Sequence, residues 1–351
     1  MADQIITRRD LLKTAATAAG TVAVGSQIIT SPRAAGAAVL LKKKYQIAIV
    51  PKALDNPVFY YAHYGLQQRA TELGNVVPVW AGSVTSDAAE EAQVVESLIS
   101  KGVDAIGISA NAAEPLIAPI NKAVAQGIKV ITWDSDVPTS KRTLFYGVDS
   151  HAMGVRLAQF CTKLMGTSGS VILLSGGPGA PNLNTRLKGI HDELGKYPGI
   201  KIKGTFYHHD DLAQGQQMVD ELLSANPTLG ALIIVAGVPF FGKMSAMPVL
   251  IKNHGKIKVI ATDTLAPELQ FAKKGLVQAL VGQDYWGWGY QSTSILYNLL
   301  TNKSCSYPKL VPQDMPVVTA DNVDQWITKW AKASTPAGAA VAFKEKPIGC
   351  M

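Results

Sequence analysis

Residues 130–136 read VITWDSD, an apolar run that ends in a tryptophan and two aspartates separated by one serine. Similar apolar runs recur along the chain, among them YQIAIVP at 45–51 and KVIAT at 258–262, each followed by a segment with helical spacing. Buried strands that alternate with helices are typical of parallel sheets covered on both faces. In such sheets ligands bind beyond the carboxyl ends of the strands. We therefore expect the two aspartates to face a cleft.

The strands and helices fall into two series along the chain. The first series runs from residue 45 to 148, where Asn56 and Pro57 mark the start of a helix. The second series runs from residue 170 to 282. Its helices are predicted over 183–195, 212–225, 241–253 and 266–274. Two series of this kind predict two similar α/β lobes.

The N-terminus predicts export from the cytoplasm. Residues 7–13 read TRRDLLK and look like a twin-arginine signal, and a mild apolar run and small residues at 34–38 follow it. Lysine, glycine and glutamine interrupt that run, so it makes a poor spanning helix. We expect residues 1–38 to be a twin-arginine signal peptide that is cleaved to leave a soluble, periplasmic protein.

Composition and cysteines narrow the possibilities further. The chain has 351 residues, 47% of them hydrophobic, and a net charge of +7 with no basic stripe that contains interleaved aromatic residues, so we expect no nucleic-acid partner. Cys161 lies in an apolar periodic stretch and is expected to be buried. Cys305 and Cys350 could form a disulfide in an oxidising compartment, which the sequence alone leaves open.

Three motifs that could indicate an enzyme do not hold up. GGPG at 176–179 follows a strand, but it lacks both the ending of a phosphate loop and the third glycine of a dinucleotide fingerprint. HHDD at 208–211 suggests metal ligands, although adjacent residues on an extended chain point in opposite directions. The GxSxG elbow of hydrolases is missing from the sequence. We therefore expect a binding protein without a catalytic residue, metal or cofactor.

Four stretches, taken in order, resemble the periplasmic sugar-binding proteins of ABC transporters. They are IAIVPKALDNPVFY at 47–60, VITWDSD, VIATD at 259–263 and LVGQD at 280–284. The resemblance covers residues 45–320. It implies the type I periplasmic binding fold, which is α/β, with two Rossmann-like parallel-sheet lobes joined by a three-stranded hinge.

The resemblance also implies that both lobes are discontinuous, because the chain would cross between them three times. Lobe 1 would comprise residues 45–148 plus 284–310. Lobe 2 would comprise residues 149–283 plus 311–320. Residues 321–351 would form a C-terminal tail with a short helix, packed on the outside of the lobes or trailing from them.

The site residues are carried over position by position. Pro51-Lys52 and Trp133-Asp134-Ser135-Asp136 look like the branch that includes autoinducer-2 and rhamnose binders, in which the lysine and the aspartate contact the ligand. Asn184 stands where ribose-type members have an arginine, with Arg186 two residues on. The predicted ligand-binding residues are Lys52, Asn56, Phe59, Ser109, Asp134, Ser135, Asp136, Asn184, Asp210, Gly237, Asp263 and Gln283.

Within that set, Asp134 is preferred over Asp136 as a direct contact because it ends the strand, whereas Asp136 could bond loop amides instead. Lys52 is expected to pair with Asp134. Aromatic faces would contact the C–H edges of a sugar. The candidates are Phe59, Tyr60, Trp133 and Trp286, with Trp133 equally consistent with a place in the core.

The predicted function is that of the extracytoplasmic solute-binding subunit of an ABC importer. It would bind a small sugar or polyol between the lobes by hinge closure and present the closed form, as a monomer, to the membrane permease. One alternative is a two-lobed sensor that docks a receptor, and another is a secreted carbohydrate-active enzyme. The ligand is left open among aldopentoses, deoxyhexoses, sugar alcohols and furanose-like signals.

Overall fold

The computed structural model describes residues 43–351. The predicted twin-arginine signal peptide, residues 1–38, lies outside the described residues. Across residues 43–351, none of the helices combines the length and the apolar character that crossing a membrane requires.

Strands and helices alternate along this part of the chain. The strands are β1 (Tyr45–Val50), β2 (Val76–Trp80), β3 (Ala105–Ile108), β4 (Lys129–Trp133), β5 (Phe145–Gly147), β6 (Ser168–Ser175), β7 (Gly199–Tyr207), β8 (Ala231–Ile234), β9 (Lys258–Thr262), β10 (Ala279–Val281), β11 (Leu310–Pro312) and β12 (Val317–Val318). The α-helices are α1 (Tyr60–Leu73), α2 (Ala88–Ser100), α3 (Glu114–Ala125), α4 (Ser150–Met165), α5 (Pro181–Leu194), α6 (Leu212–Ala225), α7 (Pro248–Lys252), α8 (Ala266–Lys273), α9 (Tyr285–Thr301), α10 (Val323–Lys332) and α11 (Pro336–Ala342).

The strands form two six-stranded sheets with matching orders. One is ordered β2-β1-β3-β4-β5-β11 and the other β7-β6-β8-β9-β10-β12. The β10–β12 pair is antiparallel, and the remaining neighbours are parallel. The predicted fold class, two parallel-sheet α/β lobes, is confirmed.

Helices cover both faces of the first sheet because its strands are apolar on both sides. Along β1, Ile47 and Ile49 pack in the core shared with α1 and α9, whereas Ala48 and Val50 pack in the core shared with α2 and α3. Successive side chains of a strand point to opposite faces, so an unbroken apolar run is buried on both. Cys161 is buried as predicted, and Cys305 is bonded to Cys350.

Three details of the sequence prediction need correction. Strand β11 continues the first sheet to Pro312, so the third crossing spans residues 313–316 instead of falling at the 310/311 boundary. The helix predicted over 241–253 is replaced by two 3₁₀ turns and the short helix α7. The segment 321–351 carries two helices, and Trp330 lies in the hydrophobic core.

In each lobe, a glycine lets two neighbouring helices approach closely. A Cβ atom at Gly289 of α9 would lie 1.7 Å from the Ala62 carbonyl oxygen of α1. In the other lobe, a Cβ atom at Gly154 of α4 would lie 2.0 Å from the Arg186 carbonyl oxygen of α5. Backbone atoms cannot yield as a flexible side chain can, so these positions set the spacing of the helices.

We expect Gly154→Ala to lower the free energy of unfolding by about 1–3 kcal/mol, because overpacking at a rigid contact strains both helices. Gly349→Ala is the matched control, since a Cβ atom there would meet nothing within 4 Å. Urea unfolding of the two variants checks the prediction. Equal midpoints would show that α4 and α5 are not held at this distance.

Candidate functional site

The carboxyl ends of the two sheets face each other across a small cavity. Its volume is about 50 Å³, roughly twice the space of one water molecule. The lining side chains come from both lobes and from the hinge. They are Lys52, Asn56, Val58, Phe59, Ser86, Asp134, Asn182, Leu183, Arg186, Asp210, Ala236, Val238, Phe241, Asp263, Gln283 and Trp288.

Asp134 is the centre of the polar cluster on the first lobe. It directly follows β4, and its carboxylate accepts hydrogen bonds from Ser109 Oγ at 2.6 Å and from Asn182 Nδ2 at 3.1 Å. Lys52 Nζ lies 3.1 Å from the same carboxylate and donates to Asn182 Oδ1 at 3.0 Å. Lys52, Asp134 and Asn182 are all at least 93% buried. Because Asn182 belongs to the second lobe, this cluster joins the lobes.

Asp263 occupies the equivalent place in the second lobe, directly after β9. It accepts hydrogen bonds from Gly237 N at 3.2 Å and Tyr285 Oη at 3.1 Å, with Gln283 Nε2 at 3.4 Å. Burial raises the pKa of Asp263, and the positive charge of Arg186 acts in the opposite direction. Arg186 Nη2 donates to Gln283 Oε1 at 3.0 Å, so a chain of polar groups runs from Arg186 to Asp263.

The backbone is unusual where the strands meet the cavity. Among the described residues, four that are not glycine have φ in the left-handed region: Asp134 at 56°, His209 at 53°, Asp210 at 61° and Asp263 at 75°. Each follows a strand at its carboxyl end. Such conformations persist only where the surrounding structure enforces them, and they cluster at binding sites. Three of the four, Asp134, Asp210 and Asp263, place short acidic side chains at the cavity.

Aromatic rings form one wall of the cavity, but not the four that the sequence suggested. Phe59 and Trp288 line it. Trp133 is fully buried and packs edge-on against Phe59, with ring centroids 5.7 Å apart, so it belongs to the core. Trp286 stacks on a neighbouring tyrosine within α9, and Tyr60 is 44% exposed.

The structure brings most of the predicted site residues together. Lys52, Asn56, Phe59, Asp134, Asp210, Asp263 and Gln283 line the cavity. Ser109 and Gly237 stand behind it, bonded to Asp134 and Asp263 respectively. Asn56 also caps the turn that precedes α1, because its side chain accepts from Val58 N at 3.1 Å.

Three predicted site residues lie elsewhere. After Asp134 the chain turns sharply, so Asp136 faces away from the cavity, pairs with Arg142 and accepts from Thr132 Oγ1 at 2.5 Å. Ser135 is buried beside the turn and does not line the cavity. Asn184 is exposed and donates to the Pro178 carbonyl at 2.9 Å.

Sequence reasoning missed Asn182 and Arg186 as direct cavity residues. Helix α5 begins at Pro181, and residues four apart share one face of a helix. Asn182 and Arg186 therefore point inward together, while Asn184 points outward. The sequence pattern placed the start of this helix at residue 183, two residues too late, and therefore did not show that Asn182 and Arg186 share a helix face. Trp288 belongs to an aromatic cluster, Tyr285, Trp286, Trp288 and Tyr290, that the sequence left open between hinge packing and ligand contact, and it lines the cavity.

The first histidine of the HHDD motif has a structural role. His208 is buried, its Nε2 donates to the Ala236 carbonyl at 3.3 Å, and its Nδ1 accepts from Asp210 N at 3.2 Å. Burial lowers the pKa of His208. Within residues 43–351, no group of three or more His, Cys, Asp or Glu side chains is placed to hold a metal ion.

Comparison with known proteins identifies the class. Residues 47–304 match the periplasmic binding protein domain family, and this span exceeds half of the chain. The chain belongs to this family. The predicted recognition as a type I periplasmic sugar-binding protein is confirmed, and family membership implies an extracytoplasmic location.

Three relatives illustrate the match. The D-apiose import binding protein of Actinobacillus succinogenes is 26% identical over 188 residues, which are 53% of this chain and 60% of the relative, so the chain spans less than two thirds of its length. The ribose import binding protein of Bacillus subtilis is 26% identical over 243 residues, 69% of this chain and 77% of the relative. A solved ABC transporter solute-binding protein from Burkholderia graminis, in complex with D-arabinose, is 31% identical with a TM-score of 0.74, covering 80% of this chain and 96% of that one.

A buried acid supports the Lys52 side of the cavity. Glu91 of α2 is fully buried and accepts from Asn111 N at 2.8 Å, and Asn111 Nδ2 donates to the Lys52 carbonyl at 2.7 Å. Burial raises the pKa of Glu91 to about 8. The pKa of a glutamate in an unfolded chain is about 4.3. Between about pH 4.3 and pH 8, Glu91 is therefore protonated in the folded protein and ionised in the unfolded chain.

Glu91 is therefore expected to make the free energy of unfolding fall as pH rises from about 5 to 8, by at most about 1.4 kcal/mol per pH unit. Glu91→Gln removes this component, so the variant should match the wild type at pH 5 and exceed it at pH 8. Urea unfolding at several pH values checks this, with the exposed Glu90→Gln as control. If the free energy of unfolding changed with pH in the same way in Glu91→Gln and in the wild type, the prediction would be wrong.

Proposed function

We propose that this protein is the solute-binding subunit of an ABC importer and that it binds a small sugar or polyol between its lobes. The observation that carries the proposal is the Lys52–Asp134–Asn182 cluster, which faces Asp263, Arg186 and Gln283 across the cavity. Two of the relatives described above are named for the sugars D-apiose and ribose, and the third was solved in complex with D-arabinose.

The chemistry of the cavity suits a hydroxyl-rich ligand. Sugar hydroxyls donate to carboxylates and accept from ammonium, guanidinium and amide groups, and the cavity offers both kinds of partner. Arg186 Nε is buried and has no hydrogen-bond partner among the described residues, so a donor remains for a ligand oxygen. Phe59 and Trp288 add apolar surface for the C–H edges.

Ligand entry requires the lobes to separate or Asn182 to move, because the cavity is smaller than a pentose. Asn182 both donates to Asp134 and accepts from Lys52. Two adjacent hydroxyls of a sugar can make the same pair of contacts, so the ligand exchanges with this amide at little cost. The lobes then close on the ligand, because each lobe supplies half of the hydrogen bonds.

The export and docking steps complete the proposed role. Residues 1–38 act as a twin-arginine signal peptide, and the mature protein works as a monomer that delivers its ligand to a membrane permease. The sensor alternative is not favoured, since two of the three relatives are named as import binding proteins and the third as an ABC transporter solute-binding protein. A glycosidase would need two carboxyl groups facing its substrate, and Asp136, the carboxylate nearest to Asp134 in the sequence, is tied to Arg142 instead.

A thermal-shift screen should identify the ligand. We expect at least one of D-ribose, D-arabinose, D-apiose or xylitol at millimolar concentration to raise the melting temperature of the mature protein, because a ligand that binds only the folded state stabilises it by mass action. Sucrose at the same concentration is the control for nonspecific osmolyte effects. No shift with any pentose, pentitol or hexose would contradict the proposed function.

Asp134→Asn should weaken binding of the sugar found in that screen by about 10- to 100-fold. A hydrogen bond to a charged group contributes about 1.5–3 kcal/mol, and each 1.4 kcal/mol is a tenfold change in affinity. Asn184→Ala is the matched control, because Asn184 is exposed outside the cavity. Calorimetric titration of both variants checks the prediction, and an unchanged affinity in folded Asp134→Asn would remove this residue from the site.

A further inference from the structure

The last thirty-one residues lie across the hinge. We call residues 321–351 the C-terminal strap; it contains α10 and α11. Between the strap and the hinge lies a second cavity of about 510 Å³. Gln283 lines both this rear cavity and the cavity of the cleft, so the hinge segment separates the two.

The strap is attached to the second lobe at its start. Val323 is buried, and α10 packs against α8. Asp324 pairs with Lys273 of α8 at 2.5 Å, and Asn322 Nδ2 donates to the Val317 carbonyl of β12 at 2.9 Å. These contacts fix the first turn of α10 to the second lobe.

The remainder of the strap is attached to the first lobe. The Trp330 ring meets Tyr61 of α1 edge-on, with centroids 4.5 Å apart. Gln291 of α9 donates to the Lys346 carbonyl at 2.9 Å and accepts from Ile348 N at 2.8 Å. The disulfide between Cys350 and Cys305 then ties the end of the chain down. Helix α10, about 15 Å long, thus runs from one lobe to the other.

The strap and the hinge line the rear cavity together, since Lys329 of the strap and Asp284 of the hinge are both part of its wall. Lys329 Nζ lies 4.7 Å from the centre of the Phe343 ring and 5.1 Å from that of Trp326. Burial lowers the pKa of Lys329, while the nearby Asp284 and Glu345 carboxyls act to raise it. Asp284 caps α9 at the second crossing, where it accepts from Gly287 N at 2.9 Å.

One side chain connects the strap to the cleft. The Tyr285 ring packs against Trp330 of the strap, with centroids 6.1 Å apart. Its hydroxyl donates to Asp263 Oδ1 at 3.1 Å and accepts from Thr264 N at 2.9 Å. Trp330 therefore supports the tyrosine that orients a carboxylate of the cleft.

We propose that the C-terminal strap braces the two lobes in the arrangement that aligns both halves of the cleft, with Trp330 as its positioning residue. A rotation of the lobes must break the contacts at one end of α10, so the strap adds to the free energy of opening. Loosening it lowers the share of molecules in which the half-sites face each other, and the apparent affinity falls in proportion to that aligned share. The affinity part of this inference rests on the proposed function.

The experiment compares Trp330→Ala with Trp326→Ala in the full mature chain. Both are tryptophans of α10, but only Trp330 packs against Tyr61 and Tyr285. Hydrogen exchange of the hinge amides, residues 281–284 and 313–315, is measured without any sugar. We expect Trp330→Ala to accelerate this exchange at least tenfold and Trp326→Ala to change it less than threefold. If Trp330→Ala folds and its hinge amides exchange at the wild-type rate, the proposal is overturned.

A second variant covers the case in which Trp330→Ala does not fold. Cys305→Ser/Cys350→Ser removes the covalent tie between the end of the strap and the first lobe and should accelerate hinge exchange in the same direction; wild-type exchange in that variant would overturn the proposal. Calorimetry with D-arabinose and D-ribose is the second readout, with at least tenfold weaker binding expected for Trp330→Ala. If the wild type binds no sugar, the proposed function fails, and the hinge exchange still decides the role of the strap.

Discussion

A single buried polar contact between Lys52, Asp134 and Asn182 defines how the two lobes meet. A buried ammonium and a buried carboxylate are tolerated only when each finds partners, because leaving either unpaired costs several kcal/mol. Here Asp134 also accepts from Ser109, and the amide of Asn182 satisfies both charges at once. A ligand that replaces this amide must donate a hydrogen bond to Asp134 and accept one from Lys52 with neighbouring atoms. The contact therefore restricts the kind of ligand as well as the position of the lobes.

The matching order of the two sheets explains why such a contact exists on each side of the cleft. Strands β4 and β9 hold equivalent places, and Asp134 and Asp263 follow them with φ of 56° and 75°. A non-glycine residue in this region is strained and needs support from its surroundings. Ser109 supplies that support in the first lobe, and Tyr285 supplies it in the second.

The sequence predicted the sheets well and the helix faces poorly. Apolar runs mark buried strands, so β9 was placed at its observed bounds, and polar residues after strands led directly to Asp134 and Asp263. The direction in which a side chain points after a turn depends on the backbone angle φ, which the sequence does not reveal. For this reason Asp136 was wrongly included among the predicted ligand-binding residues. A shift of two residues at the start of α5 was enough to exchange Asn184 for Asn182 and Arg186. Strand β11 and the packing of Trp330 depend on distant partners, which no local pattern shows.

Gln283 links what happens on the two sides of the hinge. Its Oε1 accepts from Arg186 in the cleft, and the next residue, Asp284, caps α9 and faces the rear cavity. Gln283 and Asp284 are adjacent in the second crossing between the lobes. A rotation of the lobes at this crossing therefore disturbs Arg186 in the cleft and Asp284 at the rear cavity. If the strap braces the lobes as proposed, the affinity of the cleft depends on the hinge and its rear packing as well as on the side chains that touch the ligand. Two proteins with the same cleft residues and different rear packing should differ in how fast they release the same sugar.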